Sequence, residues 1–372
     1  MPSKPREPGD IASAVRGCRD VAAELCAKQR PPGLSVAVVK PAAGNMWSEG
    51  FGVADIETAR PADADTVYLW FSMTKLVTAT AVVQLAERRQ LDLDSPVTNL
   101  VPEFPKRGGG SRVTVRHLLS HSAGLANPIP IGWVRLADAP SEDLHAFTAR
   151  LLEKHSRLRA APGGRARYSN LGYLVLGEVI QAASRAPYTE YIRAQILEPL
   201  AMTTTDFVYR EDMVQRAATG YQPRFNVSTP LLRLMTPAGI FDHHAGRFWA
   251  LSRFRVQGAP YGGLTGTVTD AARFLGLHLD PAAHPGVLSE QSVLAMQQTT
   301  ARGRKLDVGL GWFRRHSDPS NSGHYWEHLG GGGGFLNTMR IYPELKLGVV
   351  AMGNATNWDH LRLLGTTIQP TR

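Results

Sequence analysis

The stretch Val67-Tyr68-Leu69-Trp70-Phe71-Ser72-Met73-Thr74-Lys75-Leu76-Val77-Thr78-Ala79 decides how this chain reads. Five apolar or aromatic residues run straight into Ser72, and neither Gly nor Pro follows through Arg89. Leu76, Ala79, Val83 and Ala86 recur at helical spacing, which predicts a long buried helix with Ser72 in its first turn. Residues i and i+3 share a helix face, so Ser72 Oγ and Lys75 Nζ can come within hydrogen-bonding reach. The helix N-terminus adds positive potential where a serine alkoxide would develop. A lysine base must be neutral, and moving its pKa from about 10.4 to about 8 takes ~3 kcal/mol of ammonium destabilisation, supplied by burial or nearby cations. The spacing alone is a weak signal. With eight lysines in the chain, on the order of 0.4 Ser-x-x-Lys matches arise by chance. Ser72–Lys75 is the single match, and it opens a buried helix.

Two further segments add chemistry. Tyr168-Ser169-Asn170 precedes an apolar helix over 170–184. A tyrosine hydroxyl held between cations has a lowered pKa and can relay the Ser72 proton to a leaving group. Asn170 can donate and accept, and so bridge Lys75 and a substrate carbonyl. The same tripeptide also reads as an ordinary helix N-cap at Ser169 or Asn170. His328-Leu329-Gly330 is followed by four more glycines and Phe335. On an edge strand, backbone at Gly330 and Gly331 approaches a substrate closely, and the Gly331 N–H can complete an oxyanion hole with the Ser72 N–H. A glycine turn beside a surface histidine is the plainer alternative.

In this order and at these wide separations, the three segments resemble those of the serine β-lactamase/penicillin-binding superfamily, in its class-C-like branch. The likeness extends further. Residues 115–125 (VRHLLSHSAGL) are similar to the family's H-L-L-S-H-T-S-G-L stretch, and 168–180 (YSNLGYLVLGEVI) to its Y-S-N-x-G-Y-x-L-L-G segment. Residues 197–203 and Gly262-Gly263-Leu264 match recurrent family features. The resemblance implies Ser72 as acyl-forming nucleophile, Lys75 with Tyr168 as proton-transfer pair, Asn170 as a substrate contact, and His328 as a third-motif residue. Which of Lys75 and Tyr168 is the base stays open, since such coupled sites share their titrations. Penicillin-processing members usually carry lysine where this chain has His328. That departure points toward carboxylic-ester hydrolysis. Amide hydrolysis of the D-aminopeptidase kind, weak β-lactamase activity, acyl transfer and a non-catalytic binding role are the alternatives.

Strands are expected near both chain ends: 34–39, 46–55 after a turn at Pro41–Asn45, then 308–316, 324–329, 335–342 and 347–353. Helices are expected over 9–29, 112–121 and 357–364, and 100–260 reads as helices and long loops. The fold class is therefore α+β, with one antiparallel sheet assembled from both termini and flanked by helices. In domain terms, 1–75 and 261–372 would form the sheet region, and 76–260 a mainly helical region bearing the substrate loops. An aromatic cluster at Phe241, Phe248, Trp249 and Phe254 could wall an acyl pocket, sit in the core, or join copies in a homo-oligomer.

Composition narrows the classes. The 372 residues carry a formal charge of +9, mostly from arginine, but the basic residues are scattered, with no stripe of the nucleic-acid-binding kind. Cys18 and Cys26 would lie ~12 Å apart along one helix, too far for a bridge. HExxH, GxSxG, P-loop and GxGxxG patterns are absent, and His243-His244 lacks partners at metal-site spacing, so neither metal nor cofactor is expected. No apolar run reaches the ~20 residues of a membrane span. Residues 1–8 lack an apolar leader core, so a cytoplasmic enzyme acting on a small-molecule ester or amide is the expectation.

Overall fold

A computed structural model describes residues 10–41, 44–317 and 323–368. Residues 1–8, and the middle of the turn expected at Pro41–Asn45, lie outside them. In chain order the elements that position the site are α1 (Ile11–Ala27), β1 (Gly33–Lys40), β2 (Asn45–Asp55), β3 (Arg60–Pro61), α2 (Thr74–Glu87), α3 (Asn170–Ser184), α4 (Ser228–Met235) and α5 (Val268–Leu279). They continue with β4 (Ala301–Arg302), β5 (Leu306–Val308), β6 (Phe313–Arg315), β7 (Trp326–Gly332), β8 (Phe335–Tyr342), β9 (Leu347–Gly353) and α6 (His360–Gly365). One antiparallel sheet of nine strands runs in the order β4-β5-β6-β7-β8-β9-β1-β2-β3, so the two ends of the chain meet at its centre. There β1 pairs with β9 from Leu34↔Gly353 to Val39↔Gly348.

The sheet is covered on both faces, which explains why β1 reads as an unbroken apolar run. Alternate residues serve opposite cores. Leu34, Val36 and Val38 pack with Cys18, Ala22 and Leu25 of α1 and with Leu363 and Leu364 of α6. Ala37 and Val39 join the larger cluster containing α2, α3 and α5. The Asp10 carboxylate accepts from the Ala12 and Ser13 amides and caps α1. Both cysteines are free and buried; burial pushes the Cys18 thiol up to about 11 and that of Cys26 to about 12, so neither is a reactive thiol.

Several elements differ from expectation. The single strand expected at 308–316 is two, β5 and β6, because Gly309 and Gly311 (φ 91°) break it while Trp312 buries between them. The helix expected at 112–121 is reduced to Val115–Leu119, capped by Thr114 and ended by His121 at φ 55°. α5, twelve residues covering β1 and β9, lies in the region assigned to the sheet, where no helix is expected before 357. Within 100–260, two small sheets replace expected helix or loop: 220–223 with 248–251 and 241–245, and 134–136 with 254–256. The hairpin signal was present as two aromatic-rich runs around Gly246-Arg247, a two-residue turn with Gly246 at φ 58°.

Candidate active site

Ser72 lies in a 3₁₀ turn, Phe71–Met73, that leads directly into α2. The turn is clamped on three sides. Strand Tyr68–Leu69 pairs with Thr265–Gly266, and the Trp70 N–H donates to Leu264 O (2.9 Å). The Leu264 N–H donates to Thr74 Oγ1 (3.2 Å), and buried Asn337 on β8 donates to Leu69 O (2.6 Å). These bonds hold Phe71 at φ 48°, a left-handed conformation that costs a non-glycine residue about 1–3 kcal/mol. Its ring packs on Phe254 (6.2 Å) and Phe335 (6.3 Å). Of the aromatic cluster expected around 241–254, Phe254 thus supports the nucleophile's turn and Phe248 is buried, while Trp249 meets Phe241 edge to face in the hairpin.

Lys75 is wholly buried. Its Nζ lies 3.0 Å from Ser72 Oγ and donates to the Tyr261 carbonyl (2.7 Å). No carboxylate bonds it among the described residues, and desolvation holds its pKa well below the ordinary lysine value. The rings of Tyr168, Tyr261 and Tyr173 surround Nζ at 4.9, 5.2 and 5.6 Å from their centroids. A transient ammonium would be stabilised by those faces.

The Tyr168 hydroxyl donates to Ser72 Oγ at 2.6 Å. Its pKa is raised by burial, with the bond to Ser72 opposing, and not lowered as the sequence suggests. The expected cause is missing: the neighbouring lysine is itself driven toward neutrality. The residue as a whole is 38% exposed.

His328 on β7 is buried and its pKa falls to about 3, first through desolvation and then through Lys75. Its Nδ1 lies 2.8 Å from Leu329 O. A carbonyl only accepts, so Nδ1 carries the hydrogen, leaving Nε2 a bare acceptor that is buried without a partner among the described residues. Gly330 is the point of closest approach. A Cβ there would lie 2.0 Å from Trp70 O and 3.2 Å from Met73 N, so β7 runs against the turn carrying Ser72. At Gly331 the same atom would have room, with its nearest neighbour Leu336 Cδ1 at 3.5 Å. Among the described residues β6 pairs with β7 only at Phe313↔Glu327, and no strand there pairs with the β7 edge from His328 to Gly332 on that side.

Asn170 departs from expectation. Its N–H donates to Asn127 Oδ1 (3.0 Å), its own Oδ1 is buried without a partner, and no bond to Lys75 forms among the described residues. Ser169 is the N-cap of α3, its Oγ accepting from the Gly172 N–H (3.1 Å), so Asn170 is the first residue of the helix.

His121 was not singled out by sequence, although it lies within the quoted 115–125 stretch. It is buried, and desolvation, Lys75 and His328 together hold its pKa well below normal. Nδ1 accepts from the Ser169 N–H (3.2 Å), and the ring packs on Tyr168 (4.7 Å), Tyr173 (5.1 Å) and Phe313 (5.5 Å). Tyr261 was also missed, because it contributes a main-chain oxygen that no side-chain pattern marks. Beside this centre a cavity of ≈ 260 Å³ is lined by Tyr168, Leu306, Phe313, Leu329 and His328, with the Arg315–Glu327 ion pair (2.7 Å) in its wall.

A Ser-x-x-Lys centre set between a helix start and a glycine strand of an antiparallel sheet defines a hydrolase of the serine β-lactamase fold. The chain belongs to the Beta-lactamase family, whose model matches residues 18–368. It is 34% identical over 301 residues to esterase EstB of Burkholderia gladioli, covering 75% of this chain and 73% of that one. It is 26% identical over 332 residues to protein flp of Staphylococcus aureus (strain N315), covering 87% of this chain and 59% of that longer protein. The octameric penicillin-binding protein homologue of Pyrococcus abyssi superposes with a TM-score of 0.75 at 25% identity, covering 94% of this chain and 76% of that one.

Proposed function

We propose that the protein hydrolyses carboxylic esters through an acyl-enzyme on Ser72. The carrying observation is the bonded series Tyr168–Ser72–Lys75, with lysine at its buried end. Tyr168 occupies one lone pair of Ser72 Oγ, so the serine's own hydrogen can turn toward Lys75. The lone pair of neutral Lys75 takes that proton as Oγ attacks the ester carbonyl carbon, and the three tyrosine faces stabilise the ammonium formed. In this assignment Lys75 is the base, and Tyr168, whose pKa stays high, remains protonated as a donor. Collapse of the tetrahedral intermediate breaks the bond to the alcohol oxygen. Tyr168 gives its hydroxyl proton to that oxygen as the alcohol leaves, and the Lys75 ammonium returns a proton to Tyr168, so that both groups end the step as they began. Water then attacks the acyl carbon by the same route in reverse.

The Ser72 and Gly331 N–H groups are assigned to the developing oxyanion, in line with the unpartnered β7 edge. The leaving alcohol departs on the Tyr168 side, where the ≈ 260 Å³ cavity has mainly apolar walls. Neutral His328 supplies no cation for a substrate carboxylate, which favours neutral esters over β-lactams. The similarity to EstB accords with this choice. A substrate panel tests it. p-Nitrophenyl butyrate should turn over far faster than nitrocefin or D-alanine p-nitroanilide, and rapid nitrocefin hydrolysis with no ester turnover would refute it.

A further inference from the structure

We infer that the lip of the Ser72 cleft is a docking surface for a bilayer carrying anionic lipids, which the enzyme meets peripherally. Two segments remote in sequence, 125–137 and 222–241, form this lip, joined where the Gly132 N–H donates to Met235 O (3.2 Å). Both border the catalytic centre. Asn127 holds the Asn170 amide, and Leu232 on α4 lies beside Gly333, which follows directly on β7.

Large apolar side chains are exposed here as nowhere else among the described residues. Ile129, Ile131, Phe225, Val227, Leu231 and Leu234 are 58–98% exposed, and they are six of the ten large hydrophobic residues that project from the surface. Isolated exposed leucines need no explanation, but a cluster at a cleft mouth does. The two segments contain no aspartate or glutamate, while Arg135, Arg224 and Arg233 lie among the apolar residues. Arg224 stacks on Phe225 (5.5 Å) and Arg233 on Trp249 (4.8 Å), and neither forms a salt bridge among the described residues. On the adjoining hairpin the acidic Asp242 is engaged by His243 (3.2 Å).

Apolar side chains interleaved with arginines, with the acidic Asp138 and Asp242 only at the borders of the two segments, suit insertion among anionic headgroups. A second copy suits the surface less well, because an isologous contact would set the same arginines against one another. No helix among the described residues is long and apolar enough to cross a membrane, so the contact is peripheral. The composition did not reveal this because the two segments lie about a hundred residues apart, and only folding brings their exposed residues together.

The test is vesicle flotation of the intact protein. Vesicles of phosphatidylcholine with about one-third phosphatidylglycerol should carry it upward, vesicles of phosphatidylcholine alone should not, and 0.5 M salt should weaken the binding roughly tenfold. The quadruple variant I129S/I131S/L231S/L234S should bind roughly tenfold more weakly, with its melting temperature and its turnover of monomeric p-nitrophenyl acetate unchanged. Binding is read without turnover, so failure of the esterase reading would leave this result intact. Absence of wild-type flotation with either vesicle, equal flotation of the variant, or a wild-type dimer that the variant dissociates would each overturn the inference.

Discussion

The floor and the lip of the cleft are built on opposite terms. In the floor, α2, α3 and β7 press together until Lys75, His121 and His328 are almost wholly enclosed, and every one of these basic groups is driven toward its neutral form. In the lip, Ile129, Phe225, Val227 and Leu234 stand in solvent. The floor spends packing energy to keep bases unprotonated and aligned, whereas the lip leaves apolar area uncovered. Chemistry is therefore assigned to the first region and recognition to the second, and substitutions should separate them.

The largest effect should come from the floor. Ser72→Ala and Lys75→Ala should each lower kcat/KM by about 10⁴-fold, and the double variant should be scarcely worse, since residues acting as one unit are not additive. Additive losses in steady-state kinetics would mean that Lys75 acts elsewhere. Because burial lowers the Lys75 pKa, the wild-type rate should rise with pH through that single ionisation, with no limb near the ordinary histidine value for His328.

Next come the two neighbouring glycines of β7. Gly330→Val would push a side chain into Trp70 O and should destabilise the fold by about 3 kcal/mol or more, or prevent expression. Gly331→Ala has 3.5 Å of clearance and should cost about 1 kcal/mol or less. Chemical denaturation of both variants decides the point, and equal losses would deny that β7 runs against the nucleophile's turn.

Acid should expose the same contrast in stability. His278 and His328, both buried, are held at about 3, below the ordinary 6.5, so between those pH values the unfolded chain binds more protons than the folded one. Stability is then complete above pH 6.5 and declines as pH falls below it, at up to about 1.4 kcal/mol per pH unit for each histidine. Denaturation midpoints from pH 7 to 4 should show that slope, and His278→Asn should reduce it. A flat profile would mean these rings titrate normally. The smallest effect belongs to the lip, where Leu234→Ser should change stability by about 0.5 kcal/mol or less.

The same division governs what could be read from sequence. The positions of Ser72 and Lys75 were legible because they stand at a fixed step on a helix whose apolar period is visible, and those of Tyr168 and His328 because they stand beside a second apolar helix and a glycine run, while their roles are proposals. Both ends of the sheet were legible for a similar reason, as β1 and β9 are apolar runs bounded by turns. His121 and Tyr261 were not, since the first acts through ring packing on Tyr168, Tyr173 and Phe313, which are remote in sequence, and the second through a carbonyl that any residue could offer. The missing bond from Asn170 to Lys75 was not legible, because a helix-start motif does not say which of its residues faces inward. The strands of 220–256 were hidden by short length and mixed polarity, and α5 by its neighbouring glycines.

Peptide mapping of the protein after reaction with a fluorophosphonate tests the central claim most directly. One adduct per chain on Ser72, absent from Ser72→Ala and slowed in Lys75→Ala, is the expected result. An adduct on another residue, or a Ser72→Ala variant that still labels and still turns over esters, would contradict it.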